Sequence, residues 1–197
     1  MKHIAITQRV EIIESINERR DALSQEWSRL AQAGGFTLVI LPNLANAAID
    51  IANELEIDGI IFSGGNDLAD YGGNAPERDA TEKSLIEYSI KNNIPLLGVC
   101  RGAQMLLHYF GATLEKVDGH VCMEHTLTSG KTVNSFHGFG VKTAPSCIEV
   151  VERSADGVIE EFTHTRYKNI YGIMWHPERY HPFRNEDLEF IERKLNL

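Results

Sequence analysis

The stretch LLGVCRGAQMLLHYFG, Leu96 to Gly111, sets one cysteine between two glycines where the hydrophobic period changes. With Ile94 and Pro95 before it, IPLLGV is a continuous apolar run, the pattern of a strand buried on both faces. From Gly102 to Phe110 the apolar residues recur at helical spacing. Cys100 therefore stands on a strand-to-helix turn. Ligand and catalytic groups in open α/β sheets collect at the carboxyl ends of strands. A nucleophile on such a turn needs small residues two positions away, because the backbone there crowds its neighbours, and Gly98 and Gly102 meet that need. The free N–H groups and partial positive charge of the helix start favour thiolate, the reactive form. Most lone cysteines are small core residues. With 16 glycines in 197 residues, this double flanking arises by chance at about 2% over three cysteines, so the nucleophile reading wins. Cys122 and Cys147 lack the context and read as structural.

Outward from this turn the same rhythm repeats. HIAIT, ending at Thr7, is an expected first strand, and Arg20–Gly34 an expected helix closed by Gly34 and Gly35. TLVILP from Thr37 and DGIIFSGG read as strands, with helices over Ala45–Leu55 and Ala80–Lys91. This alternation predicts a parallel sheet covered by helices on both faces. Residues 113–172 carry short β-type pieces such as KTVNSFHG and CIEVVE between turn residues, and predict an added antiparallel section. IYGIMW is a further strand and Asn185–Leu195 a closing helix. No linker or repeat interrupts the chain, so residues 1–197 are read as a single domain.

The formal net charge is -9, which excludes a broad electrostatic footprint for DNA or RNA but leaves room for a small basic pocket. Three widely spaced cysteines make neither a disulfide framework nor a metal cluster. No apolar run reaches the length of a membrane span, and the N-terminus turns polar too early for a signal peptide. The expectation is a soluble cytoplasmic protein that binds neither nucleic acid nor membrane.

A nucleophilic cysteine needs a base, and the base an orienting group. Of eight histidines, His176 in IYGIMWHPE follows an expected strand. A His-x-Glu spacing in extended backbone sends both side chains to one face, so Glu178 can hold the imidazole in the tautomer that accepts the thiol proton. The order Cys, His, Glu differs from the α/β-hydrolase order and counts against that fold. An oxyanion needs donors. The Arg101 N–H, next to the nucleophile, is one candidate. SGGND, Ser63–Asp67, offers another, with Gly64 and Gly65 permitting close approach of backbone to ligand.

Taken in order, SGGND, RDATE, GVCRGAQ, VNSFHG and MWHPE resemble the class I glutamine amidotransferase-like hydrolases, and among them the gamma-glutamyl-gamma-aminobutyrate hydrolase group. The resemblance is strong over 58–178 and looser before. It implies a flavodoxin-like, three-layer α/β fold with a central mostly parallel sheet. It also implies a thiol mechanism acting on a gamma-glutamyl amide, with no metal or organic cofactor. Carried over, Cys100 is the nucleophile, His176 the general acid/base and Glu178 its orienter. Gly65 and Arg101 donate N–H groups to the oxyanion. Gln104 helps hold the glutamyl moiety, and the backbone of Asn134, Ser135 and Phe136 meets its amino and carboxylate groups. His137, next in sequence, is placed behind that backbone. The group often carries Gln where this chain has Phe139.

The Arg9 region and ERRDALSQEW, Glu18 to Trp27, resemble a subgroup associated with surface-polysaccharide gene clusters, whose activities include hydrolysis of gamma-glutamyl-CDP-amidate in capsular phosphoramidate synthesis. A diphosphate leaving group calls for planar cations, and Arg9, Arg19, Arg20 and Arg101 are candidates. The partner implied is thus a small gamma-glutamyl substrate, nucleotide-linked in the narrower resemblance. Two alternatives stay open: a glutaminase subunit that delivers ammonia to a synthetase, and an amine-catabolic gamma-glutamyl-gamma-aminobutyrate hydrolase. Oligomeric state is not readable.

Overall fold

The computed structural model describes residues 1–197. In chain order the strands are β1 (His3–Ile6), β2 (Arg9–Ile13), β3 (Glu18–Ala22), β4 (Thr37–Ile40), β5 (Gly59–Phe62), β6 (Leu96–Val99), β7 (Glu115–Lys116), β8 (Val121–Thr126), β9 (Thr132–Phe136), β10 (Phe139–Gly140), β11 (Ile148–Arg153), β12 (Ile159–His164) and β13 (Ile170–Ile173). The helices are α1 (Gln25–Gly34), α2 (Ala45–Glu54), α3 (Pro76–Asn92), α4 (Arg101–Tyr109) and α5 (Asn185–Leu195).

The central sheet runs β11-β12-β13-β6-β5-β1-β4. Its five strands from β13 to β4 pair in parallel, and β12 and β11 extend it antiparallel. Alternate residues of each strand face opposite sides, as the period of two requires. Ile4, Ile6, Ile61, Leu97, Val99 and Ile173 pack beneath α1 and α5 with Trp27, Leu30 and Ile191. Ala5, Ile60, Phe62, Leu96 and Ile170 face α2, α3 and α4 with Ala48, Leu85 and Met105. Two apolar layers on one sheet give the three-layer α/β/α architecture, with the expected antiparallel addition. No helix is long and apolar enough to cross a membrane.

One expectation fails. Arg20 is not helical. Glu18–Ala22 pairs antiparallel with Arg9–Ile13, Arg9 opposite Ala22 and Ile13 opposite Glu18. Helix α1 begins at Gln25, after Ser24, whose hydroxyl accepts the Glu26 N–H at 3.4 Å. Serine before glutamate is a better helix start than a run of charged residues, and it wins. Helix α3 starts at Pro76, earlier than Ala80, with the proline in the first turn where its missing N–H costs nothing. Beside the sheet stand three small pairs, β2–β3, β8–β9 and β7–β10.

Candidate active site

Cys100 caps the N-terminus of α4 with φ 53° and ψ -108°, a region costly for a residue with a Cβ. The neighbours explain how the turn closes. A Cβ on Gly98 would lie 2.6 Å from the backbone of Gly102, and one on Gly102 would lie 2.3 Å from the Phe62 carbonyl oxygen. Only glycine lets β5, β6 and α4 approach this closely. The Cys100 N–H donates to the Ile173 carbonyl at 2.8 Å, anchoring the turn to β13.

His176 follows β13 and is buried, as is Glu178. Its Nδ1 lies 2.6 Å from Glu178 Oε1. The expected extended segment is instead a 3₁₀ turn over Pro177–Arg179, and the two side chains still meet because the turn folds Glu178 back under the ring. The Asn134 amide brackets the His176 backbone. It accepts from the His176 N–H at 2.8 Å and donates to the His176 carbonyl at 2.9 Å. With Nδ1 committed to Glu178, Nε2 is buried without another hydrogen-bond partner. Burial raises the Cys100 thiol, but the charge of the neighbouring His176 opposes it, and the net effect lowers the thiol pKa. Burial depresses His176, yet Cys100 and Glu178 together push it up to about 10. Both directions favour a thiolate–imidazolium pair.

A buried charge network holds the turn against the SGGND loop. Arg78 donates to the carbonyls of Ser63, Gly64 and Gly65. Its Nε is 3.0 Å from Glu82, which also accepts from Thr7 at 2.8 Å. Arg101 pairs with Glu82 and Asp79. All four charged side chains are buried. The RDATE segment thus clamps the SGGND loop to the Cys100 turn, a job the sequence reading did not assign. Because a peptide is planar and trans, the Gly64 carbonyl pointing at Arg78 turns the Gly65 N–H the opposite way. Gly65 has φ +86°. The Arg101 N–H, at the first position of α4, has no intrahelical acceptor.

Two clefts flank these groups. The smaller, about 320 Å³, is lined by Gly65, Asn66, Asp67, Cys100, Gln104, Phe136 and His137 among others. The larger, about 560 Å³, lies across Gly64 and Gly65 and reaches His176 and Glu178, with Arg9, Ser24, Trp27 and Arg179 on its walls. Gln104 donates from Nε2 to the Phe139 carbonyl at 2.9 Å. Asn134 and Ser135 line neither cleft. The Asn134 N–H donates to the Tyr180 hydroxyl at 2.7 Å, and the Ser135 hydroxyl to the His120 carbonyl at 2.7 Å. Of the four arginines considered for a diphosphate, only Arg9 lines the larger cleft, where it pairs with Glu11. Arg101 is sealed in the network, Arg19 binds Glu77 and the Asn74 carbonyl, and Arg20 binds Glu18. Arg179, which sequence reasoning missed, stands over the Phe136 ring at 4.2 Å from its centroid, with the larger cleft before it. Its place directly after Glu178 was the available signal.

The family model for class-I glutamine amidotransferases matches residues 20–195. The chain is 36% identical over 187 residues to the gamma-glutamyl-CDP-amidate hydrolase of Campylobacter jejuni, covering 92% of each. It is 30% identical over 154 residues to a glutamine-hydrolyzing GMP synthase subunit of Methanococcus maripaludis, covering 72% of this chain and 75% of the relative. A gamma-glutamyl-gamma-aminobutyrate hydrolase of Escherichia coli is 25% identical over 190 residues, covering 76% and 75%. The crystal structure of a GMP synthase subunit protein from Thermoplasma acidophilum superposes with a TM-score of 0.73 at 20% identity, over 100% of this chain and 93% of that one.

Proposed function

The chain belongs to the class I glutamine amidotransferase family, and from that premise we propose that it hydrolyses a gamma-glutamyl amide through a glutamyl thioester on Cys100. The observation that carries this reading is the Cys100 turn facing an imidazole whose Nδ1 is fixed by Glu178 and whose Nε2 is free for the sulfur.

The chemistry runs in two halves. The Cys100 thiolate attacks the gamma-carbonyl carbon in the smaller cleft, and the carbonyl oxygen takes the electron pair. The N–H groups of Gly65 and Arg101 stabilise that oxyanion. His176 gives its Nε2 proton to the leaving nitrogen, the C–N bond breaks, and the glutamyl group remains on sulfur. Water then loses a proton to His176 and attacks the thioester. The C–S bond breaks, glutamate leaves, and the thiolate returns. Gln104, Phe136 and His137 bound the glutamyl pocket in this scheme.

The leaving group occupies the larger cleft. Its size falls within the usual range for small-molecule sites and exceeds what a short alkylamine fills. Arg9 and Arg179 suit a diphosphate and Trp27 a base or ribose, which favours gamma-glutamyl-CDP-amidate as substrate. The surface-polysaccharide setting of the narrower resemblance goes with that substrate. Three free cysteines fit a reducing, cytoplasmic location. The second reading, a glutaminase subunit serving a synthetase, draws on the GMP synthase relatives.

Glutamate release by the purified protein separates the readings. Glutamine, gamma-glutamyl-aminobutyrate and gamma-glutamyl-CDP-amidate are offered in turn, with Cys100→Ala as control. We expect kcat/KM for the nucleotide conjugate to exceed the others by on the order of 100-fold, the scale of one or two charge-assisted hydrogen bonds. Turnover by a folded Cys100→Ala protein would overturn the thiol mechanism. Silence on all three, relieved by a synthetase, would establish the second reading.

A further inference from the structure

His137, a wall of the smaller cleft, also belongs to a buried cluster whose other members, His120 and Glu160, the proposed hydrolysis does not use. His120, His137 and Glu160 come from three separate segments: the turn before β8, the end of β9 and the start of β12. All three are buried, at 2%, 3% and 0% exposure. His120 Nδ1 is 3.6 Å and His137 Nε2 is 3.5 Å from Glu160 Oε1. Neither separation is a hydrogen bond. Both Glu160 oxygens, His120 Nδ1 and His137 Nε2 are buried without any hydrogen-bond partner. An isolated carboxylate kept this far from donors is costly.

The opposite ring nitrogens are all engaged. His137 Nδ1 donates to the Phe139 carbonyl at 2.9 Å, so in the neutral ring that a metal ligand requires the lone pair is on Nε2. His120 Nε2 lies 3.3 Å from Asp156 Oδ2, so its proton sits there and the lone pair is on Nδ1. Metal-bound histidines show this pattern, with the outer nitrogen given to a carbonyl or carboxylate. Two ligands on one tetrahedral zinc, each about 2.0 Å from the ion, stand about 3.3 Å apart. That is close to the spacing seen here, and too long for direct bonding. His125 adds a further unpartnered buried nitrogen, its ring 4.2 Å from that of His120. Asp156 is half-exposed and gives the cluster a route to solvent.

We propose that His120, His137 and Glu160 bind a divalent transition ion of the zinc class, with His125 or solvent at the fourth position. The ion is structural. It staples the β8–β9 hairpin to β12 and fixes His137, a wall of the glutamyl pocket. No step of the hydrolysis is assigned to it. The proposal rests on the cluster alone and holds whatever the substrate.

The test is a titration of chelator-stripped wild-type protein with Co²⁺, read by visible absorption, and with Zn²⁺, read by thermal unfolding. We expect one ion per chain, the absorption bands of a tetrahedral site and a higher Tm with Zn²⁺. Glu160→Gln and His120→Gln should lose the bands, and Cys100→Ala should keep them. If these variants fail to fold, long-range ¹H–¹⁵N spectra of wild-type histidines decide: zinc must shift His137 Nε2 and His120 Nδ1. Absence of the bands and of any Tm rise would overturn the proposal and leave His137 as an imidazolium that neutralises Glu160. Binding that survives Glu160→Gln but is lost in Cys100→Ala would overturn it as well, by assigning the metal to the thiol.

Discussion

Cys100 shows how one residue's conformation, burial and charge combine. Its backbone is strained, which costs stability, and its sulfur is buried, which alone would make a poor nucleophile. The charge of His176 opposes burial, and the net direction is a lowered thiol pKa. The sign follows: a thiol with a lowered pKa is thiolate at pH values where a free cysteine is protonated. Alkylation of Cys100 by iodoacetamide should therefore reach half its maximal rate below about pH 8.5, the ordinary thiol value. His176→Gln removes the opposing charge and leaves burial, so the midpoint should move up, above that of the wild type. A wild-type midpoint at or above the free-thiol value would contradict the ion pair. Asn134 acts at the same scale but through another residue. Asn134→Ala frees the His176 backbone on both sides, and kcat should fall about tenfold or more while KM moves little, measured on whichever gamma-glutamyl amide the enzyme prefers.

Among the elements, α3 and the β2–β3 hairpin carry the most information. Helix α3 supplies Arg78, Asp79 and Glu82 to a network that ties β1, the SGGND loop and α4 together. Removing one partner of a buried charged set leaves the rest uncompensated, so Arg78→Ala should cost about 3–5 kcal/mol in urea unfolding. The hairpin carries Arg9 into the larger cleft, and α1 brings Trp27 beside it. Arg9→Ala and Arg179→Ala should each lower kcat/KM for the nucleotide conjugate about tenfold and leave glutamine turnover unaffected, since glutamine's leaving ammonia reaches neither side chain. Legibility divides along the same line. Strands β1, β5, β6 and β13 and helix α5 announce themselves, because burial on both faces demands apolar runs and an amphipathic helix demands its period. Cys100, His176 and Glu178 were readable from glycine spacing and a His-x-Glu step. The hairpin was not. Val10 is its only buried residue, and ERRDA has no alternation. What holds it is backbone pairing, together with the Asn66 amide bonding both polar groups of Val10 and Asp21 accepting from Asn43. Such contacts between distant residues leave no periodic trace. The clusters around Arg78 and His120 were hidden for the same reason.

Across the whole molecule, one sheet is shared by two apolar layers, so neither layer keeps its shape without the other. Both tryptophans, Trp27 and Trp175, belong to the α1–α5 layer, while Tyr71, Tyr88 and Tyr109 pack against the opposite one. Tryptophan fluorescence and far-UV circular dichroism should therefore give coincident urea transitions. Separated midpoints would mean that the layers unfold independently and that residues 1–197 are not one cooperative unit. The hairpin stands apart from this unity. It leaves the sheet just after β1 and returns just before α1, with Arg9 directly opposite Ala22, so the chain comes back to where it departed. Natural or designed exchange of that one loop could retune which leaving group is accepted while the thiol, imidazole and carboxylate keep their places. The fold would then behave as a fixed engine with a replaceable nozzle.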